Sequence, residues 1–161
     1  MKKVPIFNDL VDMELEKLAK ILKEVSFPSG SEILKEGDTG EEMFILKEGT
    51  VDISKTLTLK VGRREFGQKE KSFIRLSAEH GAFFGEMGML EENIRSATVT
   101  AVTDCKLYII EKEDFIAFCE KEPSIGFRIV LTISRIISSR LRKTNEDVLK
   151  LTTALSLALS K

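Results

Sequence analysis

The chain has 161 residues, enough to bury a core without disulfide or metal staples, and its 42% hydrophobic and 32% charged residues exclude a disordered composition. Its 25 basic and 26 acidic residues leave a formal net charge of -1, which removes the basic footprint expected of a direct nucleic-acid binder. Two cysteines, Cys105 and Cys119, suit a reducing cytoplasm better than a disulfide framework and are too few for a four-thiolate cluster. The start MKKVPIFNDL lacks the apolar run of about 7 to 15 residues that a secretory signal requires. Charges also interrupt every segment short of the roughly 20 apolar residues of a membrane-spanning helix. These features predict a cytoplasmic protein without a membrane partner.

Leu15, Leu18, Leu22 and Val25 recur at three- and four-residue steps, with Asp12 as N-cap and Glu14 and Glu16 in the first turn, so the chain opens on an amphipathic helix within residues 1–25. Pro28-Ser29-Gly30 ends it. From residue 26 to 111 short β-forming runs alternate with glycine and acidic turns: SEILKE, EEMFILKEG, TVDISKTLTLK, KSFIRLSAE, SATVTAV and CKLYIIE. A polar loop is expected around GRREFGQKEK, and GEMGML has helical rather than alternating character. Many short strands with frequent glycine turns point to a sandwich or closed barrel, because closure removes sticky strand edges.

Residues 112–161 return to helix, with Phe115, Phe118 and Cys119 spaced to dock on the barrel and Pro123 marking a break. Beyond it, Val130, Ile137, Thr144 and Leu151 repeat every seven residues, and Ser134, Leu141, Val148 and Leu155 follow four behind. Such a narrow stripe is the pattern of a two-stranded seam, which predicts a homodimer through the C-terminal helix; packing of the helix on its own barrel is the alternative.

The chemistry concentrates in FFGEMGMLEENIRSATVTA, residues 83–101. Gly85 opens a short helical turn whose free backbone N–H groups favour an anion such as phosphate. Arg95, nine residues after Glu86, can fold back onto that anion as a planar guanidinium, and Ser96 adds a hydroxyl. A carboxylate such as Glu86 is out of place beside a phosphate unless the ligand also carries a hydroxyl donor, as a ribose does. Taken by themselves, Glu86 and Arg95 also fit a surface ion pair of little energetic worth.

Phe84-Gly85-Glu86-Met87 and Arg95-Ser96-Ala97-Thr98-Val99 resemble, position by position, the phosphate-binding cassette of the cyclic-nucleotide-binding family. EGDTGEEMFILKEGTVDI resembles the family's first strands and TDCKLYIIEKEDF its last strand and return to helix, so the likeness covers roughly residues 5–150. It implies a mainly β fold, a double-stranded β-helix (jelly-roll) of eight strands with an N-terminal helix and a long C-terminal dimerisation helix, in a single domain over residues 1–161. It also implies a non-catalytic sensor that holds cAMP or cGMP as ligand, uses no cofactor or metal, and transmits occupancy by moving its C-terminal helices. Arg95, Ser96 and the backbone of Ala97 would hold the cyclic phosphate, Glu86 would accept from the ribose 2'-OH, and Gly85 and Met87 would line the pocket. RLRKTNEDV, residues 140–148, is similar to the dimer helix of the bacterial catabolite activator branch, where a Thr-Ser pair reads adenine, one residue of it across the dimer. That likeness places Thr144 and Asn145 at the pair and Arg140 just before it.

Two positions depart from the pattern: Ile94 where Pro often precedes the arginine, and Gly88 where Ala or Ser is common in eukaryotic members, Gly88 and Ser96 being more like the bacterial branch. Metal-dependent barrel enzymes need several histidines, and His80 is the single one here. The bacterial branch attaches a helix-turn-helix domain after the dimer helix; about ten residues follow the similar region here, so this sequence is expected to be a sensor without that output domain, which a longer natural protein would supply. The remaining rival is a family member that keeps the fold, binds nothing and serves as a dimerisation or interaction module.

Overall fold

The computed structural model describes residues 4–61, 65–91 and 94–160, with the side chains of 57–73 left aside. After a 3-10 turn at Pro5–Phe7, helix α1 runs over Asp12–Ala19. Its N-cap is Val11 rather than Asp12, which sits one position inside, and the Val11 N–H donates to Glu14 Oε2 at 3.0 Å. The helix stops well short of Leu22 and Val25. Lys23–Phe27 forms strand β1 instead, with Val25 registered against Leu107, because cross-strand pairing there outweighs the helical spacing.

Seven more strands follow: β2 (Glu32–Leu34), β3 (Met43–Glu48), β4 (Thr50–Val61), β5 (Glu65–Ser77), β6 (Phe83–Phe84), β7 (Thr98–Ala101) and β8 (Cys105–Ile110). They form two antiparallel sheets, ordered β1-β8-β3-β6 and β2-β7-β4-β5, the eight-stranded jelly-roll expected. The two-residue β6 is absent from the expected strands. The polar loop expected around residues 62–71 is largely strand: from Glu65 onward the backbone pairs residue for residue with β4, as in Val61↔Glu65, Lys60↔Phe66 and Lys55↔Lys71. Residues 62–64 of that segment lie outside the described residues. Because β4 meets β7 only over Val51–Ser54, the rest of the hairpin continues past the sheet as a two-stranded ribbon.

Strand β3 shows how the core is divided. Met43, Phe44, Ile45 and Leu46 are all buried, and pleating sends alternate residues to opposite faces. Met43 and Ile45 join Phe7, Leu18, Phe115, Ile129 and Ile133 beneath the helices, whereas Phe44 and Leu46 join Leu34, Val51, Val99 and Leu107 inside the roll. Phe83 and Phe84 split the same way, so β6 ties the site to both clusters.

Helix α2 (Glu86–Leu90) interrupts the strands where helical character was expected. Helix α3 (Lys112–Lys121) docks through buried Phe115 and Phe118 with Cys119 half-buried, and α4 (Pro123–Leu159) begins on Pro123 in its first turn, where a missing N–H costs nothing. A Cβ on Gly126 would stand 2.7 Å from Cys119 Sγ, so glycine is what lets α4 cross α3 this closely. No helix among the described residues is long and apolar enough to cross a membrane.

Candidate functional site

The residues that sequence reasoning singled out in the cassette converge on one cleft. Its lining comprises Gly85, Glu86, Met87 and Gly88 from the start of α2, Arg95, Ser96 and Ala97 ahead of β7, Arg140 from α4, and apolar Leu34, Ile53, Phe84 and Val99 from the roll. The cleft is narrow, about 90 Å³, and opens to solvent.

Local conformation explains the layout. Gly85 caps α2 with φ of 81°, a left-handed conformation that favours glycine, and so turns the chain from the buried Phe83–Phe84 strand into the helix. The Arg95 backbone is clipped to the Gly37–Asp38 turn from both sides: its N–H donates to Asp38 O at 2.8 Å, and Gly37 N–H donates to Arg95 O at 2.9 Å. This fixes where the guanidinium enters the cleft.

Glu86 and Arg95 are charged yet only 6% and 4% exposed, which requires compensation. Each has a partner of opposite sign. Arg140 Nη1 donates to Glu86 Oε1 at 2.6 Å and Nη2 to Phe83 O at 3.2 Å, while its guanidinium carbon lies 4.8 Å from the Phe83 ring centroid. Arg95 Nη1 donates to Glu42 O at 2.8 Å and, at 3.5 Å, to Gly85 O, and Nη2 stands 2.8 Å from Glu42 Oε1. Phe44 carries the Arg95 guanidinium at 5.9 Å from its centroid and stacks on Phe84 with centroids 5.4 Å apart.

Ser96 is exposed, with its hydroxyl 3.5 Å from Met87 Sδ, and Ala97 is half-buried beside it. Thr144 and Asn145 are not brought into the cleft of the single chain. Both lie on exposed α4, one turn beyond Arg140, and the Thr144 hydroxyl donates back to Arg140 O at 3.0 Å. Gly88 has a steric reason: a Cβ there would stand 2.5 Å from Gly40 O and 2.9 Å from Arg95 Nη1. Sequence reasoning missed Glu42, which lies 53 residues from its partner and carries no local signal. Among the described residues no cluster of His, Cys, Asp or Glu is suited to a metal ion.

A jelly-roll whose short helix and following arginine line one open cleft, with Arg140 of the C-terminal helix at its edge, has the layout of a ligand-binding module. The model of the cyclic nucleotide-binding domain matches residues 24–122, so the chain belongs to that family. It is 28% identical over 148 residues to the cyclic AMP receptor protein of Thermus thermophilus, covering 92% of this chain and 62% of that protein. It is 30% identical over 115 residues to the cAMP-dependent protein kinase regulatory subunit of Yarrowia lipolytica, covering 71% of this chain and 27% of that one. The crystal structure of the Thermus thermophilus catabolite activator protein superposes with a TM-score of 0.75 at 26% identity, over 92% of this chain and 63% of that one. The chain thus spans less than two thirds of these relatives' length.

Proposed function

We propose that this chain is a non-catalytic cyclic nucleotide sensor of the cytoplasm, with cAMP as the preferred ligand. The observation that carries the reading is the convergence of two buried charges, Glu86 and Arg95, on one cleft. Arg95, Ser96 and the Ala97 backbone hold the cyclic phosphate, Glu86 accepts from the ribose hydroxyl, Gly85 and Met87 shape the wall, and Leu34, Ile53 and Val99 offer an apolar bed for the base. Preference for cAMP is supported by the relatives named for cyclic AMP. The free thiols of Cys105 and Cys119 support a reducing compartment.

Residues 1–161 act in this reading as one domain, and two copies pair along α4. Exposed Leu141, Val148, Leu151 and Leu155 on a helix that has left the body of the protein support the pairing. Thr144 and Asn145, exposed on that segment, contact the base only once α4 is paired. Arg140 supplies the output link, because it joins α4 to the carboxylate that the ribose needs. Ligand can shift the C-terminal helices only through such a difference in contacts between two arrangements. Calorimetric titration with cAMP and cGMP tests the reading. Saturable heat with cAMP the tighter is expected, and no heat at high micromolar ligand would instead leave an interaction module without ligand.

A further inference from the structure

The apolar stripe of α4 begins well before its exposed distal half. Seven residues back from Ser134 stands Phe127, so Phe127 and Val130 open the repeat that Leu141, Val148, Leu151 and Leu155 continue. Phe127 is 68% exposed, three residues from Val130 and four from Pro123 on one face of the helix. It does not stand alone. Beside it a groove of about 530 Å³ is lined by Leu90 from α2, Phe115, Ile116 and Cys119 from α3, and Pro123 and Val130 from α4. Leu90, Ile116 and Val130 are themselves exposed, and apolar residues clustered in this way mark an interaction surface where scattered ones do not.

We infer that this groove receives the ring of Phe127 from a second copy of the chain, so that pairing along α4 reaches the cassette helix; this rests on the reading of α4 as a pairing seam. In a parallel two-fold pair each seam side chain enters a hole made by four residues of the facing helix, and matching residues meet at one level. The hole that faces the partner's Phe127 is made by Pro123, Gly126, Phe127 and Val130. Pro123 and Val130 line the groove, and Gly126 puts no side chain between that hole and Cys119. A small molecule would need placed polar groups to orient it. Here Glu120 is exposed, Lys112 is held by Glu41 at 3.3 Å, and among the described residues no buried polar side-chain atom of the groove lacks a partner. The ring would touch Leu90 at the end of α2, whose first residue, Glu86, lines the cleft, so a second copy bears on the same short helix as a ligand does.

Sedimentation of the full chain over a concentration series tests the inference, with thermal melting to verify that each variant folds. Phe127→Ala, Ile116→Ser and Leu90→Ser should each weaken the dimer roughly tenfold or more, because an apolar contact is lost twice across a two-fold interface. Met13→Ser, as exposed as Phe127 but on α1 and outside the groove, should leave the dimer unchanged. Weakening confined to Phe127→Ala would place the ring in the seam alone and overturn the groove. A dimer indifferent to all three would leave the groove to another occupant and overturn it as well. A wild type that stays monomeric would instead overturn the pairing reading and this inference together. All of these outcomes are read without ligand, so they stand whether or not a cyclic nucleotide binds.

Discussion

The two halves of α4 carry one continuous amphipathic pattern and end in opposite environments. In the proximal half Ile125, Gly126, Ile129 and Ile133 are buried under the strands and α1, and Arg128 joins the opening helix through Glu14 and Asp9 O. In the distal half Leu141, Val148, Leu151 and Leu155 are more than half exposed. Arg140 stands at the boundary with its guanidinium on Glu86. Periodicity reports that a helix has an apolar face; it does not report what covers it, and here the answer changes along a single helix. The site sits where the answer changes, so under the proposed function a bound ligand would have leverage on the exposed half.

Substitution sharpens that contrast. Ile133→Ala, at a fully buried position, should destabilise the fold by about 2–5 kcal/mol in denaturant titration, the cost of lost contacts and a residual cavity. Leu151→Ala, at 71% exposure, should leave the isolated chain within about 0.5 kcal/mol of wild type, and similar losses at both positions would erase the distinction between the halves. Next in size, Leu151→Glu with Leu155→Glu should turn a dimer into a folded monomer in analytical ultracentrifugation. A wild-type chain already monomeric at high concentration would break the dimer reading. Smallest is the acid sensitivity of the proximal anchor. The Val11 backbone N–H, then the Arg128 guanidinium, hold the Glu14 carboxyl below its usual range. A depressed folded pKa means that its stabilisation is present above the ordinary glutamate value of about 4.3 and is lost as pH falls through the folded value. Glu14→Gln should flatten the melting temperature slightly over that acid window and leave it unchanged in shape near neutrality.

The cassette was legible because its parts lie close together in sequence: a glycine with left-handed φ, a carboxylate next to it and an arginine nine residues on all enter one cleft. A sandwich or closed barrel and the break at Pro123 were legible for the same local reason, and the resemblance narrowed the former to a jelly-roll. What escaped depends on partners distant in the chain. Lys23–Phe27 continues a helical spacing and becomes strand only because β8 lies beside it. The charged run after residue 64 reads as loop until its register with β4 is known. The partner of Arg95 comes from β3's approach, 53 residues away, and nothing near the arginine announces it. Gly88 looked like a departure from the family and proves to be the space that Gly40 and Arg95 require.

Central to all of this is Arg95 as the holder of the cyclic phosphate, and paired calorimetric titrations of wild type and Arg95→Ala with cAMP test it most directly. Wild type should bind saturably, and the variant should lose on the order of 2–5 kcal/mol of binding, enough to bring it near the limit of detection. Equal affinities for the two proteins would contradict the account and place the phosphate elsewhere.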